Sequence, residues 1–275
     1  MQGKTVLITG GNSGIGLQTA IELAGMGAEV VLAGRAGDKT QAALARINAV
    51  AAKPAVNLPV DLGSLNSVRG LAEQFLATYE RLDVLINNAG TFPAKQQLTD
   101  DGYELQFGVN HLAHFLLTHL LLERLKSHAP ARVITVTSML HKRGQLDFES
   151  FTGAEKYSAQ TAYNQSKLAN VLFAVELAHR LEGTGVTSNC LHPGGVNTDI
   201  VRDLPWLLRK LLGLVFISVE KGSQTTIMLA SDADLQDVSG QYYNQGKLDK
   251  PAALANDADL RQQLWDYSLA ACGLN

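Results

Sequence analysis

Tyr163 and Lys167 stand four residues apart in the run Tyr163-Asn164-Gln165-Ser166-Lys167. On a helix, side chains at i and i+4 share one face, so this phenol and ammonium could reach a common ligand. A free tyrosine titrates near ~10 and is a poor base at neutral pH. A neighbouring cation favours the phenolate and brings that value down. Such a pair could give a proton to a carbonyl oxygen or take one from an alcohol. Alone the pattern is weak, because the same two residues fall four apart on many helices by chance.

Ser138 follows the apolar run Val133-Ile134-Thr135-Val136-Thr137. That run reads as a strand, and ligands in a doubly wound sheet bind at the carboxyl edges of strands. A hydroxyl there could hydrogen-bond a substrate oxygen, though a serine in this place also serves as a helix cap.

Near the start of the chain, Thr5-Val6-Leu7-Ile8-Thr9 runs into Gly10-Gly11-Asn12-Ser13-Gly14-Ile15-Gly16, and a helical pattern follows at once. Such a turn suits a pyrophosphate. Glycine lets backbone approach closely, and the helix start presents free N–H groups with a partial positive charge. The spacing of Gly10, Gly14 and Gly16 is G-x3-G-x-G, and no Lys-Ser or Lys-Thr follows as in a Walker A loop. A glycine-rich turn made only for tight packing remains the plain alternative. The second strand candidate ends Ala33-Gly34-Arg35. An acid at that end would hold an adenosine 2′-hydroxyl, whereas an arginine accommodates a 2′-phosphate. The guanidinium of Arg35, with Lys39 adding charge, points to NADP(H).

The elements that must position these groups alternate. Strand candidates are Thr5–Thr9, Glu29–Ala33, Ala55–Val60, Val84–Asn87, Arg132–Thr137, Val186–Leu191 and, more weakly, Gly240–Asn244. They are rich in Val, Ile and Leu without a clean period of two, as strands covered on both faces are. Helical stretches are Gly14–Met26, Lys39–Ala51, Ser64–Tyr79, Gly102–Ser127 and Ala162–Glu182. The alternation predicts one doubly wound, Rossmann-type α/β domain over residues 1–275 with about seven strands. Residues 193–220 break it and are expected to cover the ligand crevice. Within them, Leu204–Val219 is apolar but broken by Arg209 and Lys210, and reads as amphipathic.

With the glycine turn, Asn87-Asn88-Ala89-Gly90, Ser138 and Tyr163/Lys167 in this order, the chain resembles the short-chain dehydrogenase/reductase family over essentially its whole length. The resemblance implies that Tyr163 is the acid/base and that Lys167 holds the nicotinamide ribose and tunes Tyr163. It also implies that Ser138 orients the substrate oxygen and that Asn110 completes a water-linked proton relay. Cofactor contacts carry over to the turn residues Gly10, Asn12, Ser13, Gly14, Ile15 and Gly16, and to Asp61-Leu62 beside the adenine. Asn88-Ala89-Gly90 would form the adenosine-side wall, and Pro193-Gly194-Gly195-Val196-Asn197-Thr198 the nicotinamide clamp. Transfer of the pro-S hydride is expected, and dimers or tetramers are common in the family.

A narrower likeness rests on Gln106-Phe107-Gly108-Val109-Asn110-His111-Leu112-Ala113-His114-Phe115, His141-Lys142-Arg143-Gly144, Gln165-Ser166-Lys167-Leu168-Ala169-Asn170 and Leu191-His192-Pro193-Gly194. These runs look like the retinol dehydrogenase and protochlorophyllide reductase-like group, which implies a small lipophilic carbonyl or alcohol as substrate. Many animal retinol dehydrogenases carry an N-terminal membrane anchor, and none is expected here. The chain also lacks an extended insertion of the kind expected of a light-driven reductase.

Bulk properties exclude other classes. Twenty-three Lys and Arg against 26 Asp and Glu, for a net charge of -3, give no reason to expect nucleic acid. The opening apolar run is too short for a signal peptide or a bilayer span. The two cysteines, Cys190 and Cys272, have no metal-like spacing, and a reduced, cytoplasmic setting is expected. His111, His114 and His119 invite a metal, but no Cys or carboxylate stands at ligand-like spacing, so surface or packing roles are expected. His192 is expected to be structural. A nucleotide sensor that binds NADP(H) without turnover, or a partner-binding protein on the same fold, remains as an alternative. The first should have lost the proton-transfer residues, and the second should carry an interaction module.

Overall fold

Alternate residues of each central strand feed two different cores. In β1 (Thr5–Thr9), Leu7 packs into one cluster while Val6 and Ile8 pack into the other, and all three are fully buried. The same division holds in β2 (Glu29–Gly34), where Val31 and Ala33 oppose Val30 and Leu32. Side chains alternate across a pleated sheet, so strands apolar at every position require helices on both faces. This is why no period of two shows in the sequence.

The computed structural model describes residues 1–195 and 217–274. One face of the sheet carries α1 (Gly14–Gly25), α2 (Asp38–Asn48) and α6 (Val219–Ser231), packed through Leu17, Leu23, Ile47 and Leu229. The other carries α3 (Leu65–Thr78), α4 (Ala113–Ser127), α5 (Ala159–Arg180) and α7 (Ala258–Ala271). Phe75, Leu121, Leu172 and Trp265 are among its buried contacts. Each such aliphatic or aromatic side chain contributes about 1.5–3 kcal/mol on burial.

The remaining strands are β3 (Val56–Pro59), β4 (Val84–Asn87), β5 (Ala131–Val136), β6 (Val186–His192), β7 (Tyr242–Asn244) and β8 (Lys247–Asp249). Their order in the sheet is β3-β2-β1-β4-β5-β6-β7-β8, parallel except for the last pair. The chain winds outward from β1 to β3, then returns to the opposite side of β1 as β4. The carboxyl ends of β1 and β4 therefore flank a crevice at the topological switch point.

Four elements differ from the sequence expectation. An eighth strand closes the sheet, turning back on β7 through Gln245 and Gly246, both at positive φ (49° and 81°). Lys247-Leu248-Asp249 is short, polar and exposed, so it carries no apolar signal. The helices α6 and α7 were not expected. The helix read over Gly102–Ser127 starts instead at Leu105 and passes through a π-helical turn, Gly108–Leu112, before α4. A side chain at Gly108 would lie 2.3 Å from Thr99 Cγ2, so this turn is pressed against the preceding loop. Among the described residues, no helix is long and apolar enough to cross a membrane.

Candidate active site

The glycine turn sits at the end of β1, above the switch point. Gly10 has a φ of 66°, and a Cβ there would meet Ala89 Cα at 3.0 Å. A Cβ at Gly16 would lie 2.5 Å from the carbonyl oxygen of Gly10, so α1 packs directly onto the turn. Gly11 is as constrained, with Leu32 Cδ2 2.4 Å from its Cβ position, and the spacing argument passed over it. Ser13 caps α1 without a side-chain hydrogen bond, and no acid stands in the first turn. Gly14 and Ile15 open this helix, whose N-terminal amides suit a diphosphate.

Thr40 joins that turn to the end of β2. Asn12 Nδ2 donates to Thr40 Oγ1 at 3.0 Å, and Thr40 Oγ1 donates to the Arg35 carbonyl at 2.7 Å. Thr40 is buried at the start of α2, a position the motif spacing gave no reason to single out. Arg35, Ala36, Pro59, Val60, Asp61 and Ser67 line an open cavity of about 250 Å³. The Asp61 carboxylate accepts the Gly63 N–H at 2.9 Å, which fixes this end of the cavity. Leu62 packs its side chain partly into the core. A guanidinium, apolar walls and a carboxylate around one hollow fit an adenosine with a 2′-phosphate.

Ser138, Tyr163 and Lys167 converge beside the switch point. Ser158 caps α5 by accepting the Thr161 N–H, which places Tyr163 and Lys167 in the helix's second and third turns. The loop after Ser138 lies tight against that helix, because a Cβ at Gly144 would meet Asn164 O at 2.6 Å. The Ser138 side chain lies close enough to the Tyr163 phenol to pull its pKa down. Lys167 Nζ lies 5.7 Å from the centre of the Tyr163 ring and donates to the Val136 carbonyl at 3.1 Å.

Burial pushes the Tyr163 phenol up to about 12, and the Ser138 hydrogen bond works against that rise. The lysine side chain is 2% exposed, and burial pushes its ammonium down to about 8. Burial is thus the largest influence on both groups. Desolvation penalises both charged forms, and the serine supplies the opposing pull on the phenol.

Asn110 lies in the π turn. Its Oδ1 accepts the Thr91 N–H at 2.7 Å, and its Nδ2 donates to Thr91 O and Ser166 Oγ at 3.2 and 3.0 Å. A Cβ at Gly90 would stand 3.4 Å from Asn110 Oδ1 and 3.5 Å from Lys167 Nζ, so both groups face that glycine. Thr9 Oγ1 accepts the backbone N–H groups of Asn88 and Ala89 at 2.9 and 3.0 Å. Asn88 Nδ2 donates to Thr9 O at 2.8 Å. The wall Asn88-Ala89-Gly90 is thus fastened to the glycine turn.

His114 extends the same network, with Nε2 2.9 Å from Thr9 Oγ1 and Nδ1 3.0 Å from the Asn110 carbonyl. Burial pushes it down to about 4. His111 is likewise buried and meets Ser268 Oγ at 2.9 Å. Neither imidazole lies on the helix surface. Among the described residues, no group of His, Cys, Asp or Glu is placed to hold a metal ion.

At the end of β6, His192 and Pro193 are buried, and Gly194 has a φ of 103°. Gly195 O accepts the Ile217 N–H at 2.8 Å. Val196, Thr198 and the residues up to 216 of the expected cover lie outside the described residues.

Comparison with known proteins agrees with this arrangement. The short chain dehydrogenase family matches residues 4–206. Retinol dehydrogenase 14 of Mus musculus is 45% identical over 291 residues, spanning 100% of this chain and 87% of the relative. Retinol dehydrogenase 13 of Homo sapiens is 43% identical over 282 residues, spanning 99% and 85%. A protein of Mycobacterium Paratuberculosis known from its crystal structure superposes with a TM-score of 0.82 at 35% identity, covering 100% of this chain and 95% of its own. Pseudomonas aeruginosa RhlG, in an NADP active-site complex, superposes with a TM-score of 0.74 at 25% identity, covering 89% and 95%. Motif order, sheet order and these likenesses agree: the chain belongs to the short-chain dehydrogenase family, oxidoreductases acting on CH–OH and C=O groups.

Proposed function

We propose that this chain is an NADP(H)-dependent oxidoreductase that interconverts a lipophilic, retinoid-like carbonyl and its alcohol, with Tyr163 as general acid/base. The observation that carries the reading is the convergence of Ser138, Tyr163 and a buried Lys167, whose ammonium lies 5.7 Å from the centre of the phenol ring. When bound, NADP(H) supplies or accepts the hydride. In reduction, Tyr163 gives its proton to the substrate oxygen, and Ser138 holds that oxygen in place. In oxidation, the phenolate takes the alcohol proton, and Lys167 stabilises the charge. Asn110 orders the approach to Lys167 across Gly90.

The turn from Gly10 to Gly16 takes the diphosphate, Arg35 the 2′-phosphate, and Asp61 with Leu62 the adenine end. Asn88, Ala89 and Gly90 wall the adenosine side, while Pro193, Gly194, Val196 and Thr198 clamp the nicotinamide. Structural relatives bound to NADP and NADPH support this cofactor. Retinol dehydrogenases among the relatives support a lipophilic substrate. So do Phe92, edge-on to the Tyr163 ring at 4.9 Å, and Met139, 54% exposed beside Ser138. The segment 193–220 covers that substrate. Two buried free thiols, Cys190 and Cys272, support a reducing, cytoplasmic setting.

The test follows NADPH absorbance over a panel of lipophilic aldehydes, ketones and alcohols. Tyr163→Phe should lose about 100-fold or more in kcat while NADPH binding is spared. Substantial remaining turnover refutes the role of Tyr163. Tight NADPH binding by the unaltered protein with no turnover on any compound favours the nucleotide-sensing alternative.

A further inference from the structure

We infer that His141 is the positioning residue for Ser138: its neutral imidazole fixes the serine's peptide plane and thereby aims the hydroxyl at Tyr163. The inference rests on the proposed roles of Ser138 and Tyr163.

The imidazole is fully buried, and both ring nitrogens are engaged. His141 Nε2 lies 3.0 Å from the backbone N of Ala252. A backbone N–H can only donate, so Nε2 is the acceptor and the ring proton of the neutral form sits on Nδ1. Nδ1 lies 2.6 Å from the Ser138 carbonyl and donates to it. The His141 backbone N–H donates to the same oxygen at 3.0 Å. Both acceptor positions of that carbonyl are therefore filled by one residue, and rotation of the peptide after Ser138 would break two hydrogen bonds together.

The serine needs such a hold. Its Oγ accepts only a long bond from the Leu140 N–H, 3.3 Å, so the cap alone does not orient it. Ala252 follows β8, so the histidine also ties the closing hairpin to the catalytic serine. The charged neighbours act in opposite directions. Lys142 and Asp249 form an ion pair at 3.1 Å, His192 at the end of β6 is an electrostatic neighbour, and the Tyr242 ring stands edge-on at 4.8 Å. Burial, the largest influence, disfavours the imidazolium, which keeps the neutral donor-acceptor form in place.

Two substitutions separate the two bonds. In His141→Asn the amide N–H replaces Nδ1 and keeps the bond to Ser138. In His141→Gln the longer amide reaches the Nε2 position and keeps the bond to Ala252. Positioning of Ser138 predicts that the asparagine variant retains most of its kcat. The glutamine variant should lose about ten- to a hundredfold. It should also shift the pH limb of alcohol oxidation upward, in the direction of Ser138→Ala, because the phenol loses the hydrogen bond that lowers it. A structural role alone would make both variants fall together with thermal stability and leave the pH limb in place; that result overturns the inference. Wild-type kcat and pH limb in His141→Gln also overturn it. Tyr163→Phe serves as the control: if that variant keeps turnover, the reading of the site fails, whatever the histidine variants do.

Discussion

The ammonium of Lys167 sits 5.7 Å from the centre of the Tyr163 ring, and burial moves the two groups toward each other: the phenol up to about 12, the ammonium down to about 8. Separated by one helical turn, both share one desolvated corner. Neither charged form is comfortable there alone. A site of this kind spends little time with a bare phenolate, and it favours holding the proton until a substrate oxygen can accept it. Lys167 is also the group whose charge changes nearest to neutral pH.

That ordering predicts the pH dependence of carbonyl reduction. Giving up its proton leaves negative charge on Tyr163, which the lysine stabilises only while protonated. A lowered lysine pKa means the cation is present below it and lost as pH rises through it. kcat/KM for reduction should therefore fall as pH passes about 8, the free enzyme's value being the one this ratio reports. A profile that stays flat from about pH 6 to about pH 10 would remove the lysine from the mechanism.

Cofactor choice is read from Arg35. The guanidinium lines the same cavity as Asp61, and Thr40 holds the arginine's backbone against Asn12 of the glycine turn. Its position is thus set by the diphosphate end of the site. Arg35→Asp places a carboxylate where a phosphate is expected, which replaces attraction by like-charge repulsion. NADPH affinity should drop by about 100-fold, some 2.7 kcal/mol, and NADH affinity should change far less. Titration of both nucleotides by fluorescence decides it; equal losses would count against a 2′-phosphate contact.

Much of this site was legible because its chemistry is local in sequence. The Gly10–Gly16 turn, the Tyr163/Lys167 pair and the end of the strand before Ser138 each announce themselves within a few residues. What escaped depends on long-range packing. Gly11 matters because of Leu32, Thr40 because of Arg35, and His141 because of Ala252, 111 residues away. The π turn at Asn110 depends on how Thr99 meets Gly108. The eighth strand escaped because three exposed, largely polar residues pair only where a two-residue turn folds them back. Sequence spacing gave the proximity of Tyr163 and Lys167 but not the desolvation that weighs on both.

Stability at low pH should depend on Asp83, which lies just ahead of β4 and far from the chemistry. Its side chain is 2% exposed and takes hydrogen bonds from Lys4 Nζ at 2.9 Å, Arg81 Nε at 2.8 Å and the Thr5 N–H at 2.8 Å. Burial alone would raise the carboxyl, but the Arg81, Lys4 and Thr5 bonds outweigh it and leave it below the usual carboxylate range. A carboxylate lowered in the folded chain contributes stability that is present above its unfolded pKa. That contribution is lost as pH falls through the folded value. Asp83→Asn removes the charge, so it should destabilise the protein by about 2 kcal/mol at neutral pH. The difference from the parent should shrink below about pH 4, where the unfolded carboxyl also takes up its proton. Urea melts of both proteins from neutral to acid pH measure this directly, and a penalty that persists undiminished in acid would show that Asp83 acts through packing rather than charge.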